Sequence, residues 1–395
     1  MSSRYLVKAT FVTIGIAICA SLGFSGARLF AAQKRTVKIG FIGPLTGSVA
    51  AIGLGARNSA DLAVKESNRR GNAPYRYELI VMDDASDPST GVAAATKLCT
   101  VDKVAAATTH FNSPVGLATI HVFHRYQTPQ VFWAAVSPDI TYKYNFPEVT
   151  RVCENTISSH NLLAKFVVQK LGYKNWSVLY DTTSYGDACF KSITASLAKV
   201  GGKMLSADGV TVGTQDFRPI LLRIKSLNPG PQVIYYGGIG TEAALIKLQM
   251  NELGMQDILY TGSPGFDTET FTKTAGKAAE GSVVVGKMHI GEDSPFVKAY
   301  KAEGYKEPYE SCGAYAYDAT NLIIAVINKV GPDDKKLIAK TIRATEYRGV
   351  LGLTKFDEYG QSLTAGLTEK VVQDGTWIPW EGSDYAKGVR KLPKR

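Results

Sequence analysis

The sequence predicts an α/β protein of two lobes, each built on a largely parallel sheet covered by helices on both faces. Three observations carry that expectation. Short apolar or alternating segments bounded by turn residues recur from Val37 onward, with helically spaced windows between them. Parallel pairing needs such long connections, because its crossovers take a dozen or more residues. A polar, proline-containing stretch, YNFPEVTRVCENT (144–156), interrupts the alternation, and a fresh series starts at Trp176. The length of 395 residues exceeds one ordinary core and suits two.

The first 32 residues are set apart from the fold. Arg4 and Lys8 precede an uncharged run, ATFVTIGIAICASLGF (9–24), and small residues follow at Gly26, Ala27, Ala31 and Ala32. That is the order of a cleaved secretory signal, and the run falls short of the roughly 20 residues that span a bilayer. Cys19 sits inside the run after the bulky Ile18, which speaks against lipid attachment there.

Beyond the signal, VKIGFI, YELIVMDD, VAAAT and PQVFWAA read as strands of the first series, and WSVLYD, GKMLSADGV, QVIYYGG, DILYTG and GSVVVGK as strands of the second. Helical spacing occupies 56–68, 91–101, 114–125, 159–171, 185–200, 218–226 and 242–253. LIVMDDASDPSTGVAAA and SVLYDTTSYGDACFKSI share the order strand, acidic turn, helix, which fits a duplicated architecture. After Ser294 two helical windows, SPFVKAYKAEG and GAYAYDATNLIIAVINKV, precede apparent antiparallel strands with turns at Glu358–Gly360 and Asp374–Gly375. Such a late segment suits a chain that crosses back between lobes.

Composition narrows the function. Apolar residues make up 45% and charged residues 20%, and the net charge of +10 is scattered rather than blocked. The basic tail KGVRKLPKR reads as a solvated end, so no nucleic-acid partner is expected. Cys99, Cys153, Cys189 and Cys312 remain after signal removal; their long spacings allow disulfides or buried thiols and contain no CxxC metal pattern.

The glycine-rich stretch KIGFIGPLTGSVAAIGLGARNSADLAV (38–64) raises the question of a nucleotide. It lacks the Gly-x-Gly-x-x-Gly spacing, Pro44 removes an N–H where a phosphate would need one, and no Gly-Lys-Ser/Thr follows. It reads instead as the first strand-to-helix turn at the edge of a cleft. GSPGF (262–266) is not a nucleophile elbow, and no HExxH occurs. His121 and His124 share a helix face without an adjacent carboxylate and read as surface residues. Asp83, Asp84 and Asp87 read as turn and cap residues ahead of a helix. No catalytic set, cofactor or metal is expected.

What remains is a group of turns at strand C-terminal ends: THFNSP (109–114), FWAAVSPD (132–139), YDTTSYGD (180–187), YYGGIGTE (235–242) and YTGSPGFD (260–267). Open α/β sheets bind ligands outside those ends. A cleft between lobes would then be lined from both sides by small hydroxyl and aromatic groups, suited to a small polar ligand with an apolar part.

The same stretches, with GLTKFDEYGQS (352–362) and the late helix, resemble the branched-chain amino-acid class of periplasmic solute-binding proteins, the type I receptors of ABC importers. The likeness runs from about Thr36 to Gly375. It implies two Rossmann-like lobes joined by three crossover hinge segments, with 33–153 plus 288–355 as lobe 1 and 154–287 plus 356–395 as lobe 2. It also implies hinge closure on a ligand, delivery to a membrane permease, and a monomer.

By the same resemblance Ser113, at a helix start, would hold the ligand carboxylate, which free helix N–H groups favour. Ala134 would offer a carbonyl, while Val136 stands where a threonine is expected, beside Ser137. Tyr185 would cover the ligand. Ile52 and Ile239 replace tyrosines, and Asn112 and Gly238 complete the expected lining. Pro264 stands where amino-acid binders place an acidic partner for the ammonium, with Asp267 three residues on. A buried ammonium without a carboxylate costs several kcal/mol. A carboxylate or amide with an apolar body against Phe111, Trp133, Tyr185 and Phe266 therefore fits these departures better than a plain amino acid. Trp133 and Phe266 also read as ordinary core, Ser113 as a helix cap, and Tyr185 as packing within its own lobe. A receptor that reports to a membrane signalling protein is the alternative function.

Overall fold

The computed structural model describes residues 34–393. The secretory signal expected over residues 1–32 lies outside the described residues. Two sheets organise the chain. The first contains β1 (Thr36–Gly43), β2 (Arg76–Asp83), β3 (Ala106–Thr109), β4 (Gln130–Phe132) and β5 (Val149–Arg151), in the order β2-β1-β3-β4-β5. Every pair in it is parallel.

The second sheet starts with β6 (Asn175–Asp181), β7 (Lys203–Val210), β8 (Val233–Gly237), β9 (Leu259–Gly262) and β10 (Val283–Lys287). A separate hairpin, β11 (Tyr347–Gly349) with β12 (Gly352–Thr354), precedes β13 (Leu367–Gln373) and β14 (Thr376–Pro379). The second order is β14-β13-β10-β9-β8-β6-β7, parallel from β7 to β10 and antiparallel at β13 and β14. Read from β7, the parallel part repeats the winding of the first sheet. Both lobes thus place a switch point, where successive connections leave in opposite directions, between their first and third strands.

Burial on both faces explains the strand compositions. All residues of β3 (AATT), β8 (VIYYG) and β10 (VVVGK) are buried, so these strands carry continuous small or apolar runs instead of alternation. Helices begin where polar side chains satisfy free amides. Asp87 accepts from Thr90 N ahead of the Pro88–Lys97 helix, and Thr183 accepts from Tyr185 N and Gly186 N ahead of Ser184–Val200. Asn155 and Ser158 form a reciprocal cap for Thr156–Ala164.

Two glycines of the opening stretch serve packing. A Cβ at Gly53 would lie 1.8 Å from the Pro44 carbonyl oxygen, and one at Gly55 2.3 Å from that of Pro308. The Ala50–Arg70 helix can therefore sit against both backbones and along the Gly313–Val330 helix, which crosses back to cover the first sheet.

Some expectations change in detail. The apparent break at 144–156 contains β5, whose three residues next to Pro147 are too few to show a period. The turn at Asp374–Gly375 joins β13 to β14, both residues having positive φ, as a tight hairpin needs. Glu358–Gly360 instead turns within a crossover, where Phe356 and Ser362 form an isolated bridge. Cys99, Cys153, Cys189 and Cys312 are buried and unpaired among the described residues.

Three crossovers connect the lobes: Val152–Asn155, Met288–Ser294 and Lys355–Gly366. Arg151, wholly buried at the end of β5, clamps the first to the third. Its Nε donates to Gln361 Oε1 at 2.6 Å, Nη1 to the carbonyls of Ala135 and Ser137 at 3.0 and 2.7 Å, and Nη2 to Thr141 Oγ1 at 3.1 Å. Gln361 Nε2 in turn donates to the Cys153 carbonyl at 2.8 Å. Tyr315 joins the other two, accepting from Met288 N at 3.2 Å and donating to the Gly366 carbonyl at 3.1 Å.

Candidate ligand-binding cleft

The C-terminal ends of the two sheets face each other across a cavity of about 180 Å³. For scale, a dry protein cavity of about 150 Å³ accepts benzene, so this one has room for a molecule slightly larger. The first lobe supplies Ser48 and Val49 after β1, Ser86 after β2, Phe111–Pro114 after β3, and Ala134 and Val136 after β4. The second supplies Asp181, Thr183 and Tyr185 after β6, Val212 after β7, Ile239 after β8, and Pro264, Gly265 and Thr268 after β9. Glu154 and Lys287, at two crossovers, and Ser311 and Cys312 complete the wall. Tyr185 and Ile239 reach across to pack on the core of the first lobe.

Ser113 opens the Ser113–Arg125 helix, and the first intrahelical bond, Gly116 N to the Asn112 carbonyl, spans 3.0 Å. The opening N–H groups of such a helix have no partner within it, and the dipole there favours an anion. Ser113 Oγ accepts from Ser137 N at 3.2 Å, which ties the β3 and β4 turns together. Arg151 holds the Ser137 carbonyl from behind, so the Ser113 hydroxyl is oriented by the crossover clamp.

On the opposite wall the Tyr185 hydroxyl donates to Ser263 Oγ and accepts from Gly265 N, both at 2.9 Å. Its ring presents an apolar face while its oxygen is satisfied within its own lobe, and burial raises its pKa well above the ordinary phenol. Asp181 Oδ1 accepts from Thr183 N at 2.9 Å and Gly186 N at 3.3 Å. Burial raises the Asp181 pKa, and these hydrogen bonds offset part of the rise. A Cβ at Gly186 would stand 2.0 Å from the Asp181 carbonyl oxygen, which explains the glycine after Tyr185.

Ser86, Asn112 and Glu154 line the cavity, and one polar atom of each, Ser86 Oγ, Asn112 Oδ1 and Glu154 Oε2, is buried without a hydrogen-bond partner among the described residues. A buried polar group without a partner gains from any hydrogen bond that a guest supplies.

Of the residues expected from the sequence, Phe111, Asn112, Ser113, Ala134, Val136, Tyr185, Ile239 and Pro264 come together on this wall. Six others lie elsewhere. Ile52 borders a small adjoining hollow with Val49 and Gly265. Trp133 is core, stacked on Phe41 and Phe111 with ring centroids 6.0 and 6.3 Å apart. Ser137 contributes its backbone to Ser113 and Arg151, and the Gly238 carbonyl accepts from Ser263 Oγ at 2.9 Å. Phe266 is buried among Tyr260, Phe271 and Trp377. Asp267 Oδ2 accepts from the buried Lys370 Nζ at 2.6 Å, so its charge is already matched.

Asp181 and Thr183 lie in the expected turn YDTTSYGD, whereas Glu154, Lys287, Ser86 and Thr268 lie outside the strand-end turns expected to line the cleft. The available signal was charge inside apolar surroundings: Lys287 ends the run SVVVG, and Glu154 follows Val152 and Cys153. His124, read as lacking a carboxylate, meets Glu148 at 2.8 Å and stacks on Phe146. No cluster of potential metal ligands occurs among the described residues.

Residues 36–372 match the family described as periplasmic binding protein. The chain belongs to that family. This binding protein is 27% identical over 352 residues to the leucine-, isoleucine-, valine-, threonine- and alanine-binding protein of Pseudomonas aeruginosa, covering 86% of this chain and 91% of that one. It is 27% identical to Leu/Ile/Val-binding protein homolog 2 of Brucella abortus, covering 88% and 91%. A crystal structure of a leucine binding protein from Thermotoga maritima superposes with a TM-score of 0.80 at 27% identity, covering 87% of this chain and 97% of that one. These likenesses agree with the paired sheets and the cleft at their facing ends. No helix among the described residues is long and apolar enough to cross a membrane.

Proposed function

We propose that this binding protein is the exported receptor of an ABC importer, capturing an amino acid or a related small carboxylate or amide between its lobes and delivering it to a membrane permease. One observation carries the reading. A cavity the size of one small molecule is walled by the strand ends of both lobes, with the Ser113 helix start on one side and the Tyr185 ring on the other. The relatives named for leucine, isoleucine and valine support the ligand's size and its carboxylate. Val49, Val136, Val212, Ile239 and Pro264 suit an apolar body.

In this reading residues 33–153 plus 288–355 move against 154–287 plus 356–395 about the three crossovers, and the ligand stabilises the closed arrangement. No bond is made or broken in the ligand. A thermal-shift panel of amino acids, aliphatic and aromatic acids and amides tests the proposal. A ligand at 100 times its dissociation constant adds about 2.7 kcal/mol to apparent stability. A panel without any stabilising compound defeats it.

A further inference from the structure

Glu154 and Lys287 form a buried ion pair at the cavity wall, Nζ to Oε1 at 2.8 Å, between side chains 6% exposed for Lys287 and 0% for Glu154. They lie 133 residues apart, Glu154 on the first crossover and Lys287 at the end of β10, one residue before the second. The Lys287 ammonium also stands 4.7 Å from the centroid of the Tyr315 ring. Burial alone would depress the Lys287 pKa, but the Glu154 carboxylate beside it outweighs burial and keeps the amine charged. The pair is nevertheless incomplete, because Glu154 Oε2 is buried with no partner among the described residues. A Lys ammonium has three N–H donors, and among the described residues its one hydrogen-bond acceptor is Glu154 Oε1.

The two charges cancel, leaving a buried acceptor without a partner beside spare donor capacity. A bare carboxylate placed here satisfies Lys287 but meets Glu154 as a like charge. An ammonium satisfies Glu154 but meets Lys287. A group that donates and accepts at once, a hydroxyl or a carboxamide, satisfies both. We propose that the Glu154–Lys287 pair selects ligands carrying a hydroxyl or carboxamide in addition to the carboxylate held near Ser113, against otherwise identical acids that lack it or carry an ammonium in its place. This rests on the interlobe cleft being the ligand site, and it assigns the ligand's second polar group.

Two matched sets of probes test it by isothermal titration. The first is phenylacetate, mandelate, 4-hydroxyphenylacetate and phenylglycine; the second is 4-methylpentanoate, 2-hydroxy-4-methylpentanoate and leucine. In at least one set a hydroxylated member is expected to bind about 10- to 1000-fold more tightly than its hydroxyl-free and ammonium counterparts. In the double variant Glu154→Gln with Lys287→Met, which removes both charges together, that preference is expected to fall to about threefold or less, with the hydroxyl-free acid still bound. Equal or tighter binding of the hydroxyl-free acids or of leucine and phenylglycine overturns the pair's role and leaves the cleft standing. Persistence of the preference in the double variant overturns it too. Binding by none of the seven overturns the pair's role, while the cleft stands or falls on the wider thermal-shift panel. If the variant does not fold, the wild-type comparison decides by itself.

Discussion

Replacing Lys370 by Met isolates the structural role of Asp267, the residue whose position in the sequence invites a ligand contact. The two side chains meet at 2.6 Å and are 7% and 3% exposed. Met matches the aliphatic stem of lysine but leaves the Asp267 carboxylate buried without its cation. Breaking a buried pair in this way costs about 3–5 kcal/mol, because the remaining charge has lost both water and partner. Over the roughly 360 residues described here, an unfolding entropy of about 0.75 kcal/mol per kelvin turns 4 kcal/mol into a fall in melting temperature of about 5 °C. Adding Asp267→Asn removes the stranded charge, and most of the loss should return, since neutral replacements of a buried pair are often tolerated. Urea denaturation of the wild type, the single variant and the double variant measures the cycle. Ligand titration of the double variant measures the second half of the argument: with Asp267 facing Lys370 instead of the cavity, affinity should stay within about twofold of wild type. A single variant within about 1 kcal/mol of wild type, or a double variant that has lost its ligand, would refute the reasoning.

Two further outcomes follow from the same geometry. Ser113→Ala should weaken a carboxylate ligand by about 1.5–3 kcal/mol, the worth of a hydrogen bond to a charged group, and titration showing unchanged affinity removes Ser113 from the site. Glu310, just before the Gly313–Val330 helix, has its pKa pushed up to about 7 by burial and then by the charge of Glu269. Its raised value means that its contribution to stability is complete below the ordinary carboxyl range and is lost as the pH rises through about 7. Glu310→Gln should flatten the stability profile between about pH 4.5 and 7, and denaturation midpoints that keep the wild-type slope across that interval count against the assignment.

The features legible in the sequence are those encoded over short distances. Strands such as VIYYG and VVVGK announce themselves by runs of apolar residues, and the helix windows between them by a period of 3.6. The strand-end turns could be picked out because a parallel α/β sheet always exposes those ends to a ligand. That logic led to the turns that hold Phe111, Ser113, Val136, Tyr185 and Ile239, each within a few residues of a strand terminus, and the family resemblance led to the residues within them. It was less informative about direction. Trp133 and Phe266 occupy equally suitable turns but point into the core, because Phe41 and Phe111 stack against one and Tyr260, Phe271 and Trp377 surround the other. The three-residue strand β5 escaped notice for a different reason, since no periodicity can show in so few residues.

Sequence alone determined the two-lobed α/β architecture, the strand ends at which a ligand would sit, and the family to which the chain belongs, because each of these is written in neighbouring residues and their order. Tertiary structure decided which charges are spent and which remain available. Asp267 is matched by Lys370, 103 residues away, whereas one buried oxygen of Glu154, beside Lys287 and 133 residues from it in sequence, has no hydrogen-bond partner among the described residues. Coulomb attraction and desolvation depend on distance through space, and only the folded chain sets those distances.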